Sequence, residues 1–219
     1  MFWNGDSSTL DGCNFINNSA EYGGGIYWNV TSGTLSGCAF INNTANNRGG
    51  GVYWLSANGT LSNSIFTGNT ATNHGGGLCW MGANSTLSGC AFINNTAGRG
   101  GGLCWWGVNG TLLNSTFTSN AAEFYGGGVY WGGINGSLSG SIFIDNTVDT
   151  YGGGGVAWAN GANNGALFDS YFINNSANVG GGVKWDAING TLSGCTFNGN
   201  TAIASGGAIN WYGANSNMS

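Results

Sequence analysis

The side chains able to do chemistry are few. The acids are Asp6, Asp11, Glu21, Glu123, Asp145, Asp149, Asp169 and Asp186; the bases are Arg48, Arg99 and Lys184; His74 is the only histidine. Acid–base or glycosidic catalysis needs two carboxylates, or a carboxylate and a base, held on one face. Asp145 lies two residues after a phenylalanine and Asp169 three residues before one, so the two do not share a position. No acid and base recur together at any fixed spacing. The runs of three glycines lack the lysine of a phosphate-binding loop, and no helix pattern follows them. These features argue against an enzyme. No cofactor site follows from them, and the cysteine spacing fits no zinc motif.

Composition narrows the classes further. The chain has 219 residues with 45 glycines and no proline, and only 5% of them are charged. That charge is far below the roughly 25% of an ordinary domain. With 41% hydrophobic and 13% aromatic residues, there is ample apolar surface to bury, so the chain is not disordered. A net charge of −5 without basic clusters argues against nucleic acid as a partner. No apolar run reaches the roughly 18 residues of a membrane span. No charged n-region followed by an apolar h-region opens the chain, so no signal peptide is visible.

The residues are positioned by a repeat. Phe15, Phe40, Phe66, Phe92, Phe117, Phe143, Phe172 and Phe197 are spaced by 25, 26, 26, 25, 26, 29 and 25. Each has a leucine five residues before it and an asparagine three residues after it. Those asparagines are Asn18, Asn43, Asn69, Asn95, Asn120, Asn146, Asn175 and Asn200. A glycine run and then a tryptophan follow each copy. Within a copy, "TLS", "CAFIN" and "GVYW" alternate with period two between Gly and Asn turns, which is the strand signature. Three such strands cannot bury their apolar faces alone; stacking copies can. The expected fold is all-β: one domain over 1–219, a parallel β-helix of about eight coils with 25–26 residues per coil. A longer loop is expected in the copy around 152–167. Leu, Cys or Ser, Phe, Val and Trp are expected to fill the bore. The asparagines at Phe+3 are expected to form a buried ladder at a turn, and the repeated Asn-Gly before Thr-Leu reads as a turn.

The Phe-x-x-Asn unit paired with Gly-Gly-[Ala/Gly/Ile]-[Ile/Leu/Val] resembles the repeat of chlamydial polymorphic outer-membrane proteins. It is also similar to the adhesin-like surface proteins of methanogenic archaea. "FNGN" at Phe197–Asn200 with "GGAIN" at Gly206–Asn210 is the nearest copy. The resemblance covers essentially the whole chain. It implies a right-handed parallel β-helix, an extracellular or cell-surface location, and a role in adhesion or the envelope. The anchor, autotransporter barrel and leader of that family are not recognisable here.

The remaining candidates concern covalent and surface features. Cys13, Cys38, Cys90 and Cys195 share the inward column two before Phe; Cys79 and Cys104 share the outward column after the glycines. Cys13–Cys38 and Cys79–Cys104 fall in adjacent coils, within disulfide reach; the alternative is thiols packed as small hydrophobes. Among twelve Asn-x-Ser/Thr sequons, Asn58, Asn84, Asn109, Asn135 and Asn189 sit on the exposed turn and are the better glycosylation candidates. Outward residues flanking Phe, among them Ile41, Ile65, Ile93, Ile142, Ile144 and Ile173, predict an apolar, uncharged stripe suited to lateral packing. A Thr-x-Ser array around the inward Leu resembles an ice-binding surface but is broken by Leu113, Ala166 and Phe168. The chain opens and closes in the same phase of the repeat. Head-to-tail stacking into an open filament is therefore expected, unless the chain is a segment of a longer β-helix. The function expected is that of a structural extracellular protein that self-assembles into a fibre, sheath or layer. The second expectation is an adhesin or glycan-binding stalk of a larger surface protein. The expected partner is a second copy of the chain, then surface glycans.

Overall fold

A computed structural model describes residues 1–219. The chain winds as a right-handed β-solenoid of about eight turns, all β, with four parallel sheets running its length. Sheet A holds nine strands, from Phe2–Asp6 and Ile26–Thr31 through Leu78–Trp80 to Ile209–Trp211. Sheet B also holds nine, the Thr-Leu-Ser strands from Thr9–Asp11 to Asn217–Met218. Sheet C holds eight strands centred on the phenylalanines, from Asn14–Ile16 to Thr196–Asn198. Sheet D holds eight, from Ser19–Tyr22 to Thr201–Ser205. Each coil therefore has four strands, not the three expected. The fourth, for example Thr44–Arg48, turns only one small residue inward, alanine in most coils. Without a large inward side chain its alternation does not show.

Repeat position sets register. Phe66 pairs with Phe40 and Phe92, Leu61 with Leu35 and Leu87, and Trp80 with Trp54 and Trp105. Every coil thus places the same side chain above the same side chain. The inward phenylalanines stack nearly parallel, with centroids 4.7 Å apart for Phe92 and Phe117. Trp105 and Trp131 stack at 5.0 Å. These two ladders, with the leucines and the Val/Ile/Leu column, form one fully buried core.

The glycine triplet is a sterically required corner. Gly75 takes φ +66°, which glycine adopts without strain. A Cβ on Gly76 would stand 2.4 Å from the Gly101 carbonyl; one on Gly77 would stand 2.7 Å from the Gly102 carbonyl and 2.9 Å from the Phe92 ring. The glycine of each Asn-Gly has a role that its turn reading missed. A Cβ on Gly110 would fall 2.4 Å from the Trp105 indole, so this glycine is the seat of the tryptophan ladder.

Two polar ladders flank sheet C. Asn95 shows the pattern at one side: its Nδ2 donates to Phe66 O and Asn120 Oδ1, both at 2.9 Å. Its Oδ1 accepts from the Asn69 backbone N–H at 2.9 Å and from Asn69 Nδ2 at 3.0 Å. The ladder runs from Asn18 to Asn200, and Asn43, Asn69, Asn95, Asn120, Asn146 and Asn175 are fully buried. At the other side the Ser/Cys column accepts backbone N–H groups from the preceding coil. Cys90 N–H donates to Ser115 Oγ at 3.1 Å, and Cys13 N–H to Cys38 Sγ at 3.3 Å. Serine and cysteine share this column because each presents one small acceptor atom there.

Candidate functional site: the corner between sheets A and D

The outward column of sheet A reads Tyr27, Tyr53, Cys79, Cys104, Tyr130, Ala157, Lys184 and Asn210, in register. The sequence places it on the solvent side, and it does point away from the bore. It is nevertheless not solvent-exposed in the middle coils. Cys79 and Cys104 are fully buried, and Tyr53 and Tyr130 nearly so, in a second core outside the main one. The cover comes partly from the last position of the sheet D strands, where Tyr22, Arg48, His74, Arg99 and Tyr125 pair in register. It comes also from the residues just after the tryptophans. Met81 Sδ lies 4.0 Å from Cys79 Sγ, and the Trp106 indole packs edge-on to Tyr130 at 5.3 Å. Gly132 lets that indole lie flat: a Cβ there would stand 2.5 Å from it.

This corner gathers all three basic residues and the only histidine. Arg99 Nη1 stands 3.4 Å from His74 Nε2, and its guanidinium carbon lies 6.0 Å and 5.9 Å from the ring centroids of Tyr125 and Tyr130. The Nε atoms of Arg48 and Arg99 are buried without a hydrogen-bond acceptor. Lys184 pairs with Asp186, the only ion pair of the chain, and reaches over the Tyr125 and Tyr212 rings. Burial, then the charges of Arg48 and Arg99, hold the His74 pKa down to about 4, so the ring is neutral near pH 7. Burial likewise raises the tyrosine hydroxyls of Tyr53 and Tyr130, and pushes the Cys104 thiol well above its ordinary value.

A cavity of about 210 Å³ opens in this corner, walled by Arg99, Tyr125, Tyr130, Ala157, Asn160 and Asp186. It exists because one coil withdraws its side chains. Ala157 stands where the neighbouring coils carry Tyr130 and Lys184. Gly152, the extra glycine of the 29-residue copy, bridges Tyr125 and Val179 at the sheet D position. A Cβ on Gly152 would meet the Lys184 Cδ at 2.9 Å, so the lysine stem occupies the vacated place.

Residues 1–130 match the model of the right-handed β-helix region. The chain belongs to the right-handed β-helix family. No curated protein and no solved structure matches it. The family takes in enzymes, pectate-lyase-like ones among them, and non-enzymes. Beyond residue 130 the β-helix continues with the same four sheets and unbroken register.

The expected site residues of this β-helix divide clearly. All six cysteines are thiols in the structure, with Cys79 paired in register to Cys104. Cys38, Cys90 and Cys104 are buried; burial raises all three, Cys90 to about 12. The sequon asparagines Asn58, Asn84, Asn109, Asn135 and Asn189 are all exposed, with φ between 52° and 58°. Four of them also join a second, surface asparagine ladder. Asn109 Nδ2 donates to Asn84 Oδ1, Asn135 to Asn109, Asn164 to Asn135 and Asn189 to Asn164, at 2.8–3.0 Å. On sheet C, Ile65 and Ile142 are exposed, whereas Ile41, Ile93, Ile144 and Ile173 are half-buried; Ile16 and Tyr171 extend the patch. Thr116 and Thr118 interrupt it. No group of three His, Cys, Asp or Glu side chains comes together, and no helix is long and apolar enough to cross a membrane.

Proposed function

We propose that this β-helix is a structural protein of the cell surface whose copies pack side by side through sheet C into a fibre, sheath or layer. One observation carries the reading. The outward positions of sheet C, from Asn14 to Asn198 across eight strands, hold no charged side chain, and they leave Ile16, Ile65, Ile142 and Tyr171 between 36% and 51% exposed. A flat parallel face of in-register apolar residues suits sheet-on-sheet packing. Apolar patches of this kind, here two stretches separated by Thr116 and Thr118, mark an interaction surface. With only 5% charged residues, little repulsion opposes close approach. The resemblance to methanogen adhesin-like and chlamydial outer-membrane repeats supports the surface location, as do the exposed sequons.

The test is sedimentation across a concentration series for the wild-type chain and for I65D/I142D. The wild type is expected to form higher assemblies, and the double variant to remain monomeric with an unchanged far-UV spectrum. Assembly that survives both aspartates sinks the proposal.

A second reading, an adhesin-like stalk that binds a surface glycan, is favoured by the cavity at Arg99, Tyr125 and Tyr130. Aromatic faces beside amide and charged groups are the usual lining of a small polar ligand's site.

A further inference from the structure

The outward column of sheet A carries tyrosine at Tyr27, Tyr53 and Tyr130, but cysteine in the two coils between, at Cys79 and Cys104. These thiols point away from the bore and take no part in the main core. They are register partners on adjacent parallel strands, and both are fully buried. A third sulfur joins them: Met81 Sδ stands 4.0 Å from Cys79 Sγ. The chain has only two other methionines, Met1 and Met218 at its ends, and no other coil has a sulfur at the position after its tryptophan. No His, Asp or Glu comes close enough to complete a harder ligand set. Two thiols and a thioether, with no oxygen or nitrogen donor, suit a soft cation.

The spacing suits such an ion as well. Parallel strands hold register partners about 4.8 Å apart. Two thiolate–metal bonds of about 2.3 Å each, in line, span about 4.6 Å. A disulfide draws its Cβ atoms to about 3.8 Å, nearer than the strands hold them.

Charge points the same way. Two thiolates around a monovalent cation leave one net negative charge. Arg48 and Arg99 lie beside the pair, neither has a carboxylate partner, and the Nε of each is buried without an acceptor. Burial first, and then the neighbouring Cys79 thiol, keep Cys104 protonated, while both arginines favour its thiolate. The protons therefore leave only for a cation that bonds strongly to sulfur. One cation enters, two S–H bonds break, two S–metal bonds form, two protons pass to water, and no electron is transferred. Met81 is half-buried at the outer side of the pair, and its flexible thioether offers the way in.

We infer that Cys79, Cys104 and Met81 form a binding site for one soft monovalent cation of the copper(I) kind, clamped between two coils. The site is independent of packing through sheet C and of the glycan reading.

The test is competition for copper(I), without oxygen, between the full chain and a coloured copper(I) chelator. It is run in C13S/C38S/C90S/C195S, which leaves only Cys79 and Cys104; serine already fills the substituted column at Ser64, Ser115, Ser141 and Ser170. This variant is expected to hold about one copper(I) per chain. Adding C79S/C104S is expected to abolish binding, and adding M81L to weaken it roughly tenfold. Zinc(II) at equal concentration, which prefers four ligands, is expected to displace less than about a tenth of the copper. X-ray absorption at the copper edge is expected to show sulfur neighbours only. No copper(I) retained, retention after C79S/C104S, unchanged affinity in M81L, ready displacement by zinc, or oxygen or nitrogen in the copper shell each overturns the inference. Should C79S/C104S fail to fold, M81L and the absorption spectrum decide.

Discussion

Replacing Asn95 by alanine tests the buried ladder at its centre. The side chain is fully buried and makes four hydrogen bonds of 2.9–3.0 Å. Asn95→Ala leaves the Asn69 backbone N–H without its acceptor and removes one of the two partners of Asn69 Nδ2, which keeps Phe40 O. Asn120 Oδ1 still accepts the Asn95 backbone N–H at 3.0 Å. With about 1 kcal/mol per lost bond, and more for a donor orphaned away from water, the cost is about 3–5 kcal/mol. The control is Asn135→Gly in the surface ladder. It loses two bonds of 2.9–3.0 Å where water can replace them, and glycine accepts φ +55°. Its cost is expected to stay below about 1 kcal/mol. Urea unfolding followed by both far-UV dichroism and tryptophan fluorescence gives the two values and shows whether they describe one transition. Equal costs for the two variants, or a cost under about 1 kcal/mol for Asn95→Ala, would refute the claim that buried amide stacking holds the coils in register.

Gly77→Ala puts a methyl against the Gly102 carbonyl and the Phe92 ring and is expected to cost about 3 kcal/mol or more in urea unfolding; Gly12→Ala, with open space but φ +62°, is expected to cost about 1 kcal/mol. The unfolded chain takes up a proton on His74 near pH 6.5 and the folded chain only near 4, so stability should fall as pH drops through that interval. The loss is on the order of 1–2 kcal/mol after solvent screening, read as a falling Tm, and His74→Gln should flatten the slope. Alkylation of the native protein at pH 8 followed by mass mapping should label the half-exposed Cys13 and Cys195 well before Cys79, Cys90 and Cys104, which are buried. Labelling of all six at one rate would contradict the packing of both cysteine columns.

The main core was legible because its members are large and strictly periodic. Phe, Leu and Trp recur at fixed offsets, and their ladders lie where that phase puts them. The inward asparagines were legible for the same reason. Sheet D was not, since strands such as Thr96–Arg99 turn little more than an alanine inward. The second core was missed because its cover is chemically mixed. Tyr22, Arg48, His74, Arg99 and Tyr125 mix tyrosine, arginine and histidine, and only stacking the coils shows that they share a column. The cavity was hidden in a different way: it opens at Ala157, a position marked by what it lacks beside Tyr130 and Lys184. The surface asparagine ladder could have been read from the recurrence of Asn-Gly, which points to its turn but gives no hint that the amides bond to one another.

The central claim is that copies pack through sheet C. Electron cryomicroscopy of the assembled protein tests it most directly. The account predicts rods lying side by side with Ile65, Ile142 and Tyr171 of one copy against sheet C of the next. Isolated rods, or copies joined through the Arg99–Tyr125 corner with sheet C facing solvent, would contradict it.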